Sequence, residues 1–92
     1  MPVKLDHHHR VTVQRVFSHP INHNIRWADV VSLLARFGDV FETHRGNWAL
    51  ADGRGTHSFG PARHRVLTEE QVVRVRGFLR AAGMAPDRSR AA

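Results

Sequence analysis

Residues 27–37 read WADVVSLLARF, and Gly38 follows. Trp27, Val30, Val31, Leu34 and Phe37 recur at helical spacing, while Asp29, Ser32 and Arg36 collect on the opposite face. The pattern predicts an amphipathic helix that Gly38 stops. A helix with one apolar stripe must bury it against a second layer, so the segments on either side decide the fold.

Downstream, the period changes from helical to alternating. Val40 to Arg45 alternates weakly and predicts a strand. Asn47 to Ala51 predicts a second, with Trp48 and Leu50 on one face. Asp52-Gly53, extended by Gly55, marks a hairpin turn. Thr56 to Phe59 is the expected returning strand, ended by Gly60-Pro61. Thr68-Glu69-Glu70-Gln71 is a capping box, and two acids in the first turn suit the helix dipole. Behind it Val72, Val75, Phe78, Leu79 and Ala82 share an apolar arc, with Arg74, Arg76 and Arg80 outside it. Gly83 and Pro86 close that helix.

Upstream, Val13, Val16 and Phe17 share a helical face from Thr12, the expected cap, to Phe17. A short strand through Val11 and Val13 competes with that reading. Ser18 to Arg26 reads as irregular. The expected fold class is α+β: an α-β-β-β-α order in which two helices cover one face of a three-stranded antiparallel sheet, plus a short N-terminal helix. Residues 1–10 read as a flexible arm, 11–85 as a single domain, and 86–92 as a disordered polar tail.

Ninety-two residues suffice for one thin core, burying roughly 60–65% of the unfolded surface. Cysteine is absent, which excludes disulfides, thiolate chemistry and thiolate metal sites. No apolar run is long enough for a membrane span, and the N-terminus lacks the apolar stretch of a signal peptide. A cytoplasmic protein is the expectation. The formal net charge is +6, and of the 14 cationic residues all but Lys4 are arginine. Arginine pairs bidentately with phosphate and stacks on bases, which suits nucleic acid, although a GC-rich coding genome raises arginine content as well.

The order of elements, the length and the charge resemble the HicA family, which has a small fold like that of double-stranded-RNA-binding domains. Phe17, Pro20, Ile25, Trp27, Asp29, Leu33, Leu34 and Gly38 carry the resemblance in the first half. Gly46-Asn47-Trp48, Pro61, His64 and the run from Val75 to Gly83 carry it in the second. It spans about residues 10 to 84. The resemblance implies a toxin that binds and cleaves mRNA, silenced by an acidic HicB-type antitoxin that covers the RNA-binding face. It implies no cofactor. In most members a glycine, a small polar residue and a catalytic histidine open the second strand. Gly46 and Asn47 match that pattern, but Trp48 stands at the histidine position.

Cleavage by 2′-hydroxyl attack needs a base and an acid, and histidine serves as either near neutral pH. His64 is the first candidate because Arg63 and Arg65 flank it with charge for a pentacovalent phosphate. His44, two residues before Gly46, is the second, and His57 lies in the third strand; for each of the three a surface or half-buried histidine with no catalytic role is the alternative. Arg45, Trp48, Arg63, Arg65, Arg74 and Arg76 are the candidate RNA contacts. For Trp48 a core position and an exposed stacking platform both stand open. For Arg74, Arg76 and Arg80 an ordinary solvated helix face is the alternative. The run His7-His8-His9 offers no facial metal site in an extended chain, because adjacent residues point oppositely. Besides a HicA-like toxin, two readings remain: a non-catalytic RNA-binding module, and a basic surface that docks an acidic protein.

Overall fold

The computed structural model describes residues 5–84. The expected tail 86–92 and the first four residues of the expected arm lie outside them. The elements run α1 (His7–Val16), α2 (Trp27–Leu34), β1 (Asp39–Glu42), β2 (Asn47–Ala51), β3 (Thr56–Pro61) and α3 (Glu69–Ala81). The chain is thus α+β, with a three-stranded antiparallel sheet in the order β1-β2-β3.

Alternation along the strands sorts the sheet into two faces. Val40, Leu50 and His57 align across one face, as do Glu42, Trp48 and Gly60. Leu50 and Phe59 from this face join Leu33 and Leu34 of α2, Val72, Val75 and Leu79 of α3, and Val13 and Val16 of α1 in one core. Phe41, Ala49 and Ser58 align on the other face. A bulge between Trp48 and Ala49 lets β3 run through Gly60 to Pro61, two residues beyond the expected end at Phe59. Gly60 absorbs the change with φ +91, a conformation that favours glycine.

The N-terminal helix begins earlier than the sequence suggests. Asp6, not Thr12, is its cap: the Asp6 carboxylate accepts a hydrogen bond from the His9 amide at 2.9 Å. Residues 7–10 are therefore helix, not arm. Thr12 is buried, and its hydroxyl donates to the His8 carbonyl at 3.2 Å. The helix was hidden because its first turn is entirely polar, so apolar periodicity starts only at Val13. Its buried positions, His9, Thr12, Val13 and Val16, still follow the i, i+3, i+4, i+7 spacing. His9 Nε2 lies 2.9 Å from the Ser32 hydroxyl of α2, and this polar pair joins the two helices.

The capping box on α3 forms as read. Thr68 Oγ1 accepts from the Gln71 amide at 3.2 Å, and Gln71 Oε1 accepts from the Thr68 amide at 3.0 Å. Gln71 also donates through Nε2 to the Pro61 carbonyl at 2.9 Å, which ties the start of α3 to the end of β3. Ala82 is exposed, so the apolar arc of α3 ends at Leu79. No described helix is long and apolar enough to cross a membrane.

Candidate nucleic-acid interface

Two backbone seams bring the basic residues of separate segments to one end of the sheet. The first joins the β1–β2 turn to the chain leaving β3, with the Ala62 amide donating to the Gly46 carbonyl at 2.8 Å. Within that turn the Gly46 amide donates to the Thr43 carbonyl at 2.8 Å, and the Asn47 amide to Thr43 Oγ1 at 3.1 Å. Gly46 takes φ +82, so the turn is tight and leaves His44 and Arg45 exposed. The second seam joins the chain entering α3 to the start of α2. The Trp27 amide donates to the Arg65 carbonyl at 2.8 Å, the Leu67 amide donates to the Ile25 carbonyl at 2.9 Å, and Arg26 bridges Val66.

Arg63, His64 and Arg65 lie between the two seams, and all three are exposed. His44 and Arg45 flank them on one side and Arg26 on the other. Exposed arginines and histidines are thus carried on segments that backbone bonds tie to one another. Such arginines can hold phosphates, and the histidines can exchange protons with a bound ligand. Arg45, Arg63, Arg65, His44 and His64, all candidates from the sequence, are exposed on these linked segments. The sequence reading did not anticipate Arg26, which enters only through a bridge forty residues away in sequence.

The remaining candidates are placed differently. Arg74 is exposed on α3, and no hydrogen bond among the described residues ties it to the loop carrying Arg63 and Arg65. Arg76 is a correction: it is buried, not part of a surface. Its Nε donates to the Val16 carbonyl at 2.6 Å and its Nη2 to the Ser18 carbonyl at 2.9 Å. These bonds satisfy carbonyls at the C-terminal end of α1, where a cation also complements the helix dipole. Helical periodicity placed Arg76 outside the sheet-facing arc, but α1 covers that flank of α3. Arg80 lies over the Phe17 ring, 5.3 Å from its centroid.

Trp48 is half-buried and packs against Trp27, with ring centroids 5.9 Å apart and a 34° tilt. Its indole Nε1 is buried without a hydrogen-bond partner. Trp48 therefore packs at the edge of the core, between the two alternatives that the sequence left open.

A second polar pair lies toward the opposite end of β3. His57 Nε2 is 3.0 Å from Asp52 Oδ2, and the His57 ring meets Phe78 edge-on at 5.0 Å. Asp52 Oδ1 accepts from the Arg54 amide at 2.9 Å. That backbone bond, followed by the bond with His57, holds the Asp52 carboxyl below its ordinary range. The signal was the Asp-Gly dipeptide itself, whose aspartate serves the turn with one oxygen and His57 with the other. Asp6 is likewise lowered, first by its bond from the His9 amide. Among the described residues no group of three or more histidine, aspartate or glutamate side chains could hold a metal ion. No family model matches this chain, and no curated protein or solved structure does either.

Proposed function

We propose that this chain is a HicA-like RNA-binding protein of the cytoplasm, built on a fold like that of double-stranded-RNA-binding domains, that grips mRNA at the end of the sheet and cleaves it there. The single observation that supports the reading is the hydrogen bond from Ala62 to Gly46, which ties the turn that follows His44 and Arg45 to the segment that leads into Arg63, His64 and Arg65. In this reading the arginines neutralise phosphates, and His64, with His44 second, supplies the general acid or base. A HicB-type acidic antitoxin is the expected partner, because an acidic protein would compete for the same surface.

The position of Trp48 favours a second reading, a non-catalytic RNA-binding module. An indole is a hydrogen-bond donor that cannot shuttle protons, and here it is packed against Trp27. Expression of the wild type, His64→Ala and His44→Ala, scored by growth arrest and by decay of a reporter mRNA, separates the two. Arrest that is lost with His64→Ala and kept with His44→Ala supports cleavage through His64. RNA binding without arrest in the wild type selects the non-catalytic module. Absence of RNA binding at low salt removes both.

A further inference from the structure

A hollow of about 560 Å³ opens where the segment before α3 lies against the start of α2. Its walls are Asn24, Arg26, Trp27, Ala28, Arg65 and Val66. The volume falls within the roughly 300–1,000 Å³ of small-molecule sites. Backbone bonds on both sides form the hollow in advance: Trp27 to Arg65, Leu67 to Ile25, and the bridge between Arg26 and Val66. A ligand therefore does not have to order the loop on binding.

The walls are of two kinds. Ala28, Val66 and the accessible edge of Trp27 make an apolar floor; Trp27 is only 4% exposed and packs against Trp48. Arg26 and Arg65 are both exposed, so their guanidinium groups are available at the rim of this floor. Asn24 adds an amide that both donates and accepts. Asp29, the acid in the first turn of α2, lies toward α1, its carboxylate 3.4 Å from His8 Nε2.

We infer that this hollow binds a terminal nucleoside 5′-monophosphate: the base and sugar lie on the Trp27, Ala28 and Val66 floor, and Arg26 and Arg65 clamp the dianionic phosphate. A terminal phosphate carries more charge than a diester within the chain, and two guanidinium groups match it better. The inference deepens the RNA-binding reading and rests on it, adding a site for an end to a surface for a backbone. The same chemistry is offered by a free nucleotide and by a 5′-phosphorylated RNA end.

The test is a nitrogen-15 NMR titration of the full chain, with the two indole signals assigned through Trp48→Phe. The probes are adenosine 5′-monophosphate, adenosine, inorganic phosphate, and a short oligoribonucleotide with either a 5′-phosphate or a 5′-hydroxyl. The monophosphate should shift the Trp27 indole and bind roughly tenfold or more tightly than adenosine, which lacks the charge-assisted pair. The 5′-phosphorylated oligonucleotide should exceed its hydroxyl counterpart by a similar factor if RNA ends are the source. Equal affinity of the two oligonucleotides, with the monophosphate still bound, assigns the hollow to free nucleotides. Ala28→Glu should abolish binding while the melting temperature holds, because an acid in the first turn suits the helix but repels phosphate. Arg26→Ala with Arg65→Ala should weaken binding on an independent route. Inorganic phosphate binding as tightly as the nucleotide, or a Trp27 indole that no probe moves, overturns the inference. If RNA still binds with steep salt dependence in that case, the broader reading stands and only the hollow fails.

Discussion

The loop between β3 and α3 and the seam between α1 and its neighbours use the same residue types to opposite ends. In the loop, Arg63, His64 and Arg65 are exposed, and backbone seams fix their main chain while the side chains face outward. In the seam, Arg76 and His9 are buried, and their nitrogens lie within hydrogen-bonding distance of Val16, Ser18 and Ser32. A cation that satisfies buried carbonyls belongs to the architecture. A cation that leaves its donors in water is available to a ligand. The comparison teaches that arginine content alone does not measure how much cationic surface this chain presents.

The largest effect calibrates the comparison. Leu34→Ala or Leu79→Ala should each destabilise by about 2–5 kcal/mol, since both side chains are fully buried in the shared core. In so small a domain that approaches or exceeds half of the total stability. Thermal or urea melts check it, and a near-neutral result for either would mean that the helices do not pack as described.

Arg76→Ala should come next, at roughly 1.5–3 kcal/mol, because it removes charge-assisted hydrogen bonds and leaves the Val16 and Ser18 carbonyls without their donor. The variant, once folded, should bind RNA with an unchanged salt slope. A stable variant with weakened RNA binding would break the comparison, because it would place Arg76 with the loop arginines.

Arg63→Ala combined with Arg65→Ala should shift stability by no more than about 0.5 kcal/mol, the usual scale for exposed substitutions. The slope of log affinity against log salt on single-stranded RNA should become shallower by about 1.4, at roughly 0.7 for each phosphate that is no longer neutralised. A slope that does not move would remove these two arginines from the interface.

The smallest effect sharpens the boundary between the two regions. Asp52 holds its proton less tightly folded than unfolded, so its bonds stabilise the fold fully above the ordinary value of 3.8. That contribution disappears as the pH falls below 3.8 through the depressed folded value. Asp52→Asn should therefore flatten the acid limb of a stability–pH curve and leave RNA binding near neutrality unchanged. An unaltered acid limb would show that the pairing of Asp52 with His57 does not contribute.

Much of the fold was legible because local rules and global packing agree. The stripe that opens at Trp27, whose helix ends at Leu34 rather than at the expected Phe37, the capping box at Thr68 and the Asp52-Gly53 turn each state in a few residues what the chain must do nearby. Where the sequence misled, the deciding partner was distant. Nothing near residue 9 announces that Ser32 will meet it, and nothing near Arg76 announces the end of α1 sixty residues earlier. The first turn of α1 was missed for a related reason, since His7-His8-His9-Arg10 has no apolar pattern and only the Asp6 cap marks its start.

The candidate site divides along the same line. Sequence alone determined the net charge of +6, the clustering of Arg63, His64 and Arg65, and the tryptophan at position 48, because charge and residue identity do not depend on folding. Tertiary structure decided which cations face water. The bond between Ala62 and Gly46 brings His44 and Arg45 to the loop, the bridge to Val66 adds Arg26, and the packing of α1 on α3 removes Arg76. The physical reason is that exposure depends on what the rest of the chain places beside a side chain, and those neighbours are fixed by long-range backbone pairing and core burial rather than by adjacent residues.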